Sequence, residues 1–182
     1  MLRSMARVGV LVMGASVAWA AEANVWLNVP FVKQQRDGCG AAAIAMVMQY
    51  WQEQDHQENG AGSDPEQILR ELYSKSAHGI YARAMTGYFE GHGYQAFAFA
   101  GQWPDLEREL AKGRPLIAAV KPGPGGELHY VVVAGLDEPD HLVLLNDPAR
   151  RKLAKQDAAT FERQWKATGN WTLLAVPREP AR

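Results

Sequence analysis

The chain has 182 residues, 47% hydrophobic and 21% charged, an ordinary globular balance that excludes a disordered polypeptide. Its formal net charge of −1 offers no basic field to nucleic acid or to an anionic membrane surface.

The first residues, "MLRSMARVGVLVMGASVAWAAEA", place Arg3 and Arg7 ahead of an apolar run from Val8 to Trp19. Small residues close it at Ala18-Trp19-Ala20 and Ala21-Glu22-Ala23. A basic start, a short apolar middle and an A-x-A site have the pattern of a secretory signal peptide, residues 1–23, with cleavage near Ala20 or Ala23. The run is too short for the roughly 20 apolar residues that span a bilayer, which argues against a membrane anchor. No cysteine follows it, so lipid attachment is not expected. The expectation is a chain exported to the periplasm or secreted, with no membrane span in its mature part. Residues 24–182 then form one domain, a suitable length for a single core.

Residues Asn24 to Gln35 read as extended or irregular, with Pro30 interrupting the pattern. From Cys39 to about Gln52 the chain reads as a helix, since Ile44, Val47, Met48 and Trp51 share a face and alanines 41–43 and 45 favour it. "DHQENGAGS" is a polar loop. A second helix begins at Asp64, with Pro65 at its first position and Gln67 where a capping partner sits. A third spans about Tyr81 to Glu90 and stops at Gly91 or Gly93. Then the period changes. "YQAFAFA" alternates like a strand, "PDLERELAKG" is a short helix closed by Gly113, and "PLIAAV" is a buried strand. After the loop "KPGPGGE", "LHYVVVAGL" and "HLVLLND" form strands joined by "DEPD". A helix over Asp157–Lys166 and the strand "WTLLAV" finish the chain. Helices first and neighbouring strands later predict α+β with an antiparallel sheet.

Cys39 is the only cysteine, between Gly38 and Gly40 at a predicted helix start. In an oxidising compartment it has no partner within the chain, which suggests a reactive thiol, an intermolecular bridge or an inert buried residue. Unsatisfied N–H groups and the helix dipole stabilise thiolate at that position, and flanking glycines would leave room for a substrate backbone. A cysteine nucleophile needs a base, and the base an orienting group. Of His56, His78, His92, His129 and His141, only His129 lies inside an apolar strand. If Asp137 and Asp140 flank a tight turn, Tyr130 stands opposite Asp147; a register one residue different puts His129 there. Either way Asp147 is within reach of His129, whereas Asp137 and Asp140 are at the far end of the hairpin. An oxyanion donor would come from the segment before Cys39, where Gln34 and Gln35 are the side-chain amides. Alternation turns only one of them toward the site.

"VPFVKQQRDGCGAAAIAMVMQYW" followed by "LHYVVVAGLDEPDHLVLLNDPA" resembles the C39 family of papain-like cysteine peptidases, which includes bacteriocin-processing, double-glycine-type enzymes. The resemblance runs from about Val29 to Val176. It implies a papain-like α+β fold, with the nucleophile at a helix N-terminus packed on an antiparallel sheet. It also implies Cys39 as nucleophile, His129 as base, Asp147 as orienting acid and Gln34 as oxyanion donor. One cysteine and scattered histidines show no ligand spacing of the usual kind, so no metal and no cofactor are expected. The substrate would be a polypeptide, such as an exported protein or a leader peptide. Ala41 stands where such proteins commonly have proline, and no transporter domain is fused, which implies a free-standing exported member. A phytochelatin-synthase-like transpeptidase and a non-catalytic peptide-binding accessory module on the same fold are the competing readings. Binding modules of this kind typically lack the cysteine, which this chain keeps.

Overall fold

The computed structural model describes residues 24–55, 61–123 and 125–178. The proposed signal segment lies outside them. In chain order the elements are β1 (Val25–Trp26), α1 (Cys39–Gln54), α2 (Pro65–Leu72), β2 (Tyr73–Ser74), β3 (Gly79–Ile80) and α3 (Ala82–Gly91). Then follow β4 (Tyr94–Ala100), α4 (Trp103–Ala111), β5 (Leu116–Val120), β6 (His129–Asp137), β7 (Leu142–Asn146), β8 (Ala154–Asp157), α5 (Ala158–Lys166) and β9 (Trp171–Pro177).

The main sheet runs β4-β9-β5-β6-β7-β8, with β1 added to β6, and every pairing is antiparallel. Strand periodicity divides its side chains between two cores. Tyr130, Val132 and Ala134 of β6 join Ile117, Ala119, Leu173 and Ala175 beneath α1 and α3. Val131 and Val133 join Leu116, Ala118, Leu145 and Leu174 beneath α4 and α5, around Phe161 and Trp165. The sheet is therefore covered on both faces, and the central strands read as continuous apolar runs because neither face meets water.

Helix α1 is buried along most of its length, from Gly40 through Met48. Its alanines let it lie close on the sheet, and Trp51 donates its indole N–H to the Ala175 carbonyl at 2.9 Å. Asp64 caps α2, but its carboxylate accepts from the Glu66 N–H at 3.1 Å, so the expected reciprocal partner at Gln67 is not used. Gly93 and Gly113 end α3 and α4 with φ values of +87° and +73°, the left-handed conformation expected of glycine there.

Four short strands, β1, β2, β3 and β8, are absent from the sequence reading. Two residues carry no periodicity, and β8, "AKQD", lacks the β-branched residues that mark a strand. Gly135 accounts for β1: a Cβ there would fall 2.5 Å from the Val25 carbonyl, so the close crossing requires glycine.

The β6–β7 hairpin also differs from expectation. Its turn covers residues 138–141, with His141 at φ +52°, and pairs Asp137 with Leu142. A bulge between Val133 and Gly135 then shifts the register, leaving Val132 opposite Asn146 as the last pair. Neither two-residue-turn register forms, because the left-handed residue lengthens the turn and the bulge takes up a residue in β6.

Candidate active site

Four segments converge where α1 begins. Backbone geometry before the helix is tight: Asp37 has φ +58°, and the Gly38 N–H donates to the Gln35 carbonyl at 3.0 Å. Gly38 is the N-cap, Cys39 the first helical residue, and no acidic side chain occupies the first turn. Cys39 is partly exposed and unbridged. The flanking glycines answer to the protein itself. A Cβ on Gly38 would lie 3.1 Å from the Gln35 carbonyl oxygen, and one on Gly40 would lie 3.1 Å from Ile80 Cβ and 3.5 Å from the Tyr130 ring. The expectation that both make room for a substrate is thus corrected. They let the turn close and α1 seat against β3 and β6.

His129 opens β6 opposite Val120, and Asp147 directly follows β7. Although the β6–β7 ladder ends before either residue, their side chains meet, with His129 Nε2 2.7 Å from Asp147 Oδ1. Asp147 Oδ1 also accepts the Ala149 N–H at 3.0 Å, while the exposed Arg150 guanidinium stands 3.9 Å from Oδ2.

Burial alone would lower the His129 pKa. Hydrogen bonds to Asp147 and Cys39, with the charges of both, outweigh it and raise the value from 6.5 to about 9. For Asp147, burial pushes upward but is outweighed by the His129 hydrogen bond and charge, the Ala149 N–H and Arg150, so its carboxyl is held below the usual range. Tyr130, beneath the site, is raised to about 12 by burial and by the Cys39 charge.

These shifts carry a stability consequence. His129 binds its proton more tightly when folded, so its contribution is complete below pH 6.5 and is lost as pH rises through about 9. Asp147 acts with the opposite sign: its contribution is present above pH 3.8 and is lost as pH falls through its lowered folded value. Thermal unfolding should therefore show a midpoint that declines as pH rises from 6.5 through about 9. His129→Gln should flatten that decline. An equally deep decline in the variant would assign it to other groups.

Gln34 and Gln35 lie in an irregular segment and differ in burial, Gln34 being partly buried and Gln35 exposed. The Gln35 amide turns outward and donates to Glu66 Oε1 of α2 at 2.8 Å. The Gln34 backbone N–H donates to the Pro148 carbonyl at 2.9 Å, tying it to the residue after Asp147. Its Oε1 is buried without a hydrogen-bond partner among the described residues. A cavity of about 150 Å³ lies behind this segment, lined by Lys33, Gln34, Gln35, Gly38, Ala41 and the first turn of α2. Cys39, His129 and Asp147 do not line it.

The remaining described histidines stand apart. His78 and His141 occupy turns with positive φ, and His92 stacks on Tyr88 and bonds its carbonyl. His56 lies outside the described residues. Among those residues no group of three or more His, Cys, Asp or Glu could hold a metal ion, and no helix is long and apolar enough to cross a membrane.

Comparison with known proteins identifies the family and the fold. The Peptidase_C39 like family matches residues 26–173. The chain belongs to that family. Among solved structures, this C39-like chain resembles a candidate C39-like peptidase from Bacillus anthracis at 20% identity and a TM-score of 0.69, covering 87% of this chain and all of that one. The peptidase domain of Streptococcus ComA, a bifunctional ABC transporter of a quorum-sensing pathway, matches at 20% identity and a TM-score of 0.64, over 83% of this chain and 100% of that one. A double-glycine-motif protease from an AMS/PCAT transporter, in complex with a leader peptide, matches at 23% identity and a TM-score of 0.62, over 85% and 98%. No curated protein matches the chain. At these identities the structural likeness establishes a papain-like C39 peptidase fold.

Sequence reasoning overlooked Asn146. It is fully buried and uses its side-chain amide to bridge the pre-cysteine segment and the turn after Asp147. The signal was available as an asparagine ending an otherwise apolar strand, "LVLLN".

Proposed function

We propose that this protein is an exported cysteine peptidase that hydrolyses peptide bonds in a secreted polypeptide through Cys39, His129 and Asp147. The observation carrying the reading is the His129–Asp147 contact of 2.7 Å beside a partly exposed cysteine at a helix N-terminus. Cys39 and His129 act as a thiolate–imidazolium pair. The thiolate attacks the scissile carbonyl carbon and forms a C–S bond, while the π electrons move onto oxygen. As the tetrahedral species collapses, the C–N bond breaks and His129 gives its proton to the leaving amine. Neutral His129 then takes a proton from water, whose oxygen attacks the thioester, and the thiol leaves with a proton returned from the ring. Asp147 holds the ring orientation and stabilises the imidazolium. Gln34 and the Cys39 backbone N–H donate to the oxyanion, and α1 directs its positive end at the same point.

Two of the similar structures are named as transporter-linked peptidases, one of them with a leader peptide bound. An exported leader peptide or other secreted polypeptide is the corresponding substrate class for this chain, with the protein serving as an accessory processing enzyme of an export system. Residues 1–23 direct export and are removed near Ala20 or Ala23.

The test begins with the thiol. Iodoacetamide should label Cys39 of the folded protein faster below pH 7 than it labels the denatured chain. Mass spectrometry of exported proteins from cells carrying wild type or Cys39→Ala should then show polypeptides left uncut in the variant. Slow labelling of the folded protein, with identical exported proteomes, would sink the peptidase reading. Capture of an acyl-enzyme by an added amine in place of water would instead indicate a transpeptidase.

A further inference from the structure

We infer that Asn146 is a positioning residue that fixes the pre-cysteine segment relative to the Asp147–His129 pair, an inference that rests on the peptidase reading above. Asn146 is fully buried. Its Nδ2 donates to the Val29 carbonyl at 3.0 Å and to the Pro30 carbonyl at 3.2 Å, both at the start of the segment that leads to Gln34. Its Oδ1 accepts from the Leu153 N–H at 2.9 Å, closing the turn that carries Asp147 and Pro148. The Leu153 backbone is held at φ +47° beside that bond. Asn146 thus joins three backbone positions that no strand ladder connects.

The chemistry of that position is restrictive. It requires two donors and an acceptor on one short planar group, which asparagine supplies. Serine offers one donor and less reach, while aspartate keeps the shape but loses both donors. Without the clasp, the buried Val29 carbonyl and the part-buried Pro30 carbonyl lose their Asn146 partner. The segment before Gln34 is then tied to the turn after β7 through the Gln34 N–H bond to Pro148 and the exposed Lys152–Asn28 contact. Asp147 keeps its own supports, because the Ala149 N–H and His129 bond its carboxylate directly. The predicted fault therefore lies at the oxyanion donor and leaves the thiolate–imidazolium pair intact.

Two probes separate those outcomes in the purified protein. Iodoacetamide reports the thiolate, since its displacement step develops no oxyanion. p-Nitrophenyl acetate acylates Cys39: the thiolate adds to the ester carbonyl, a C–S bond forms, the C–O bond breaks and p-nitrophenolate departs. Asn146→Ser should acylate about 10-fold to 10²-fold more slowly, the scale of a misplacement of about 1 Å, with the rate and pH profile of alkylation unchanged. Gln34→Ala should show the same pattern. The double variant Gln34→Ala/Asn146→Ser should lose no more than Gln34→Ala alone, because a clasp that positions an absent donor has nothing left to position. Losses that multiply in the double variant, or alkylation that falls in step with acylation, would overturn the clasp. If Asn146→Ser does not fold, the neutral Asn146→Thr carries the same measurements. Wild-type protein lacking any Cys39-dependent acylation would instead refute the peptidase reading and take the clasp with it. A functional wild type with an additive double variant refutes the clasp alone.

Discussion

Asp147→Asn should slow Cys39 acylation by at least about 10²-fold while leaving the fold intact, by analogy with the large losses seen when a buried triad carboxylate is neutralised. The substitution keeps the volume but removes the carboxylate facing His129 Nε2 at 2.7 Å. It also lets the amide present its N–H₂ to the ring, favouring the wrong tautomer. Because the Asp147 hydrogen bond and charge help raise His129 to about 9, the alkaline limb of activity should lie near pH 9 in the wild type and move downward in the variant. His129→Ala should be at least as damaging. His141→Ala should be nearly silent, since His141 lies in the far turn with Asp157–Ala158 of β8–α5 beside it. Activity that survives His129→Ala but not His141→Ala would reverse the assignment.

Gln34→Ala should reduce acylation by roughly 10²-fold or more, the usual effect of removing one oxyanion donor. Iodoacetamide labelling should barely change. Gln35→Ala loses one exposed hydrogen bond to Glu66 and should cost a fraction of that effect. Two features favour Gln34: its backbone bond to Pro148 beside Asp147, and the outward orientation of its neighbour. Small and equal effects at the two positions would leave the Cys39 N–H as the main donor.

The parts of the fold with strong periodicity were legible without coordinates. Helix α1 declared itself through Ile44, Val47 and Met48, and β6 through its unbroken valines, because burial on a regular element imposes a repeat. The pairing of His129 with Asp147 was legible only in outline. Their proximity follows from their places in one hairpin, but the bulge at Val133–Gly135 and the left-handed His141 set the true register, and neither leaves a mark in the local sequence. The roles of Gly38 and Gly40 were misread for a related reason. What touches them comes from Gln35, Ile80 and Tyr130, and a contact with Ile80 or Tyr130 is invisible until α1 is docked. Asn146 was missed because a strand-ending polar residue before Asp-Pro resembles ordinary turn chemistry.

The seat of α1 on β6 has a consequence for how the molecule comes to function. Cys39 and His129 are separated by ninety positions (39 to 129), so their meeting depends on contacts that close late in a chain with such long-range pairings. Only with β6 in place does the His129 imidazole stand beside the sulfur. The gain of iodoacetamide reactivity during refolding should therefore lag behind the return of helical circular dichroism. With a single cysteine in the chain, no internal disulfide can form along the way, so the refolding chain stays free of intramolecular mispairing even in an oxidising medium. On the peptidase reading proposed above, the reactive sulfur is thus completed only when β6 docks against the start of α1.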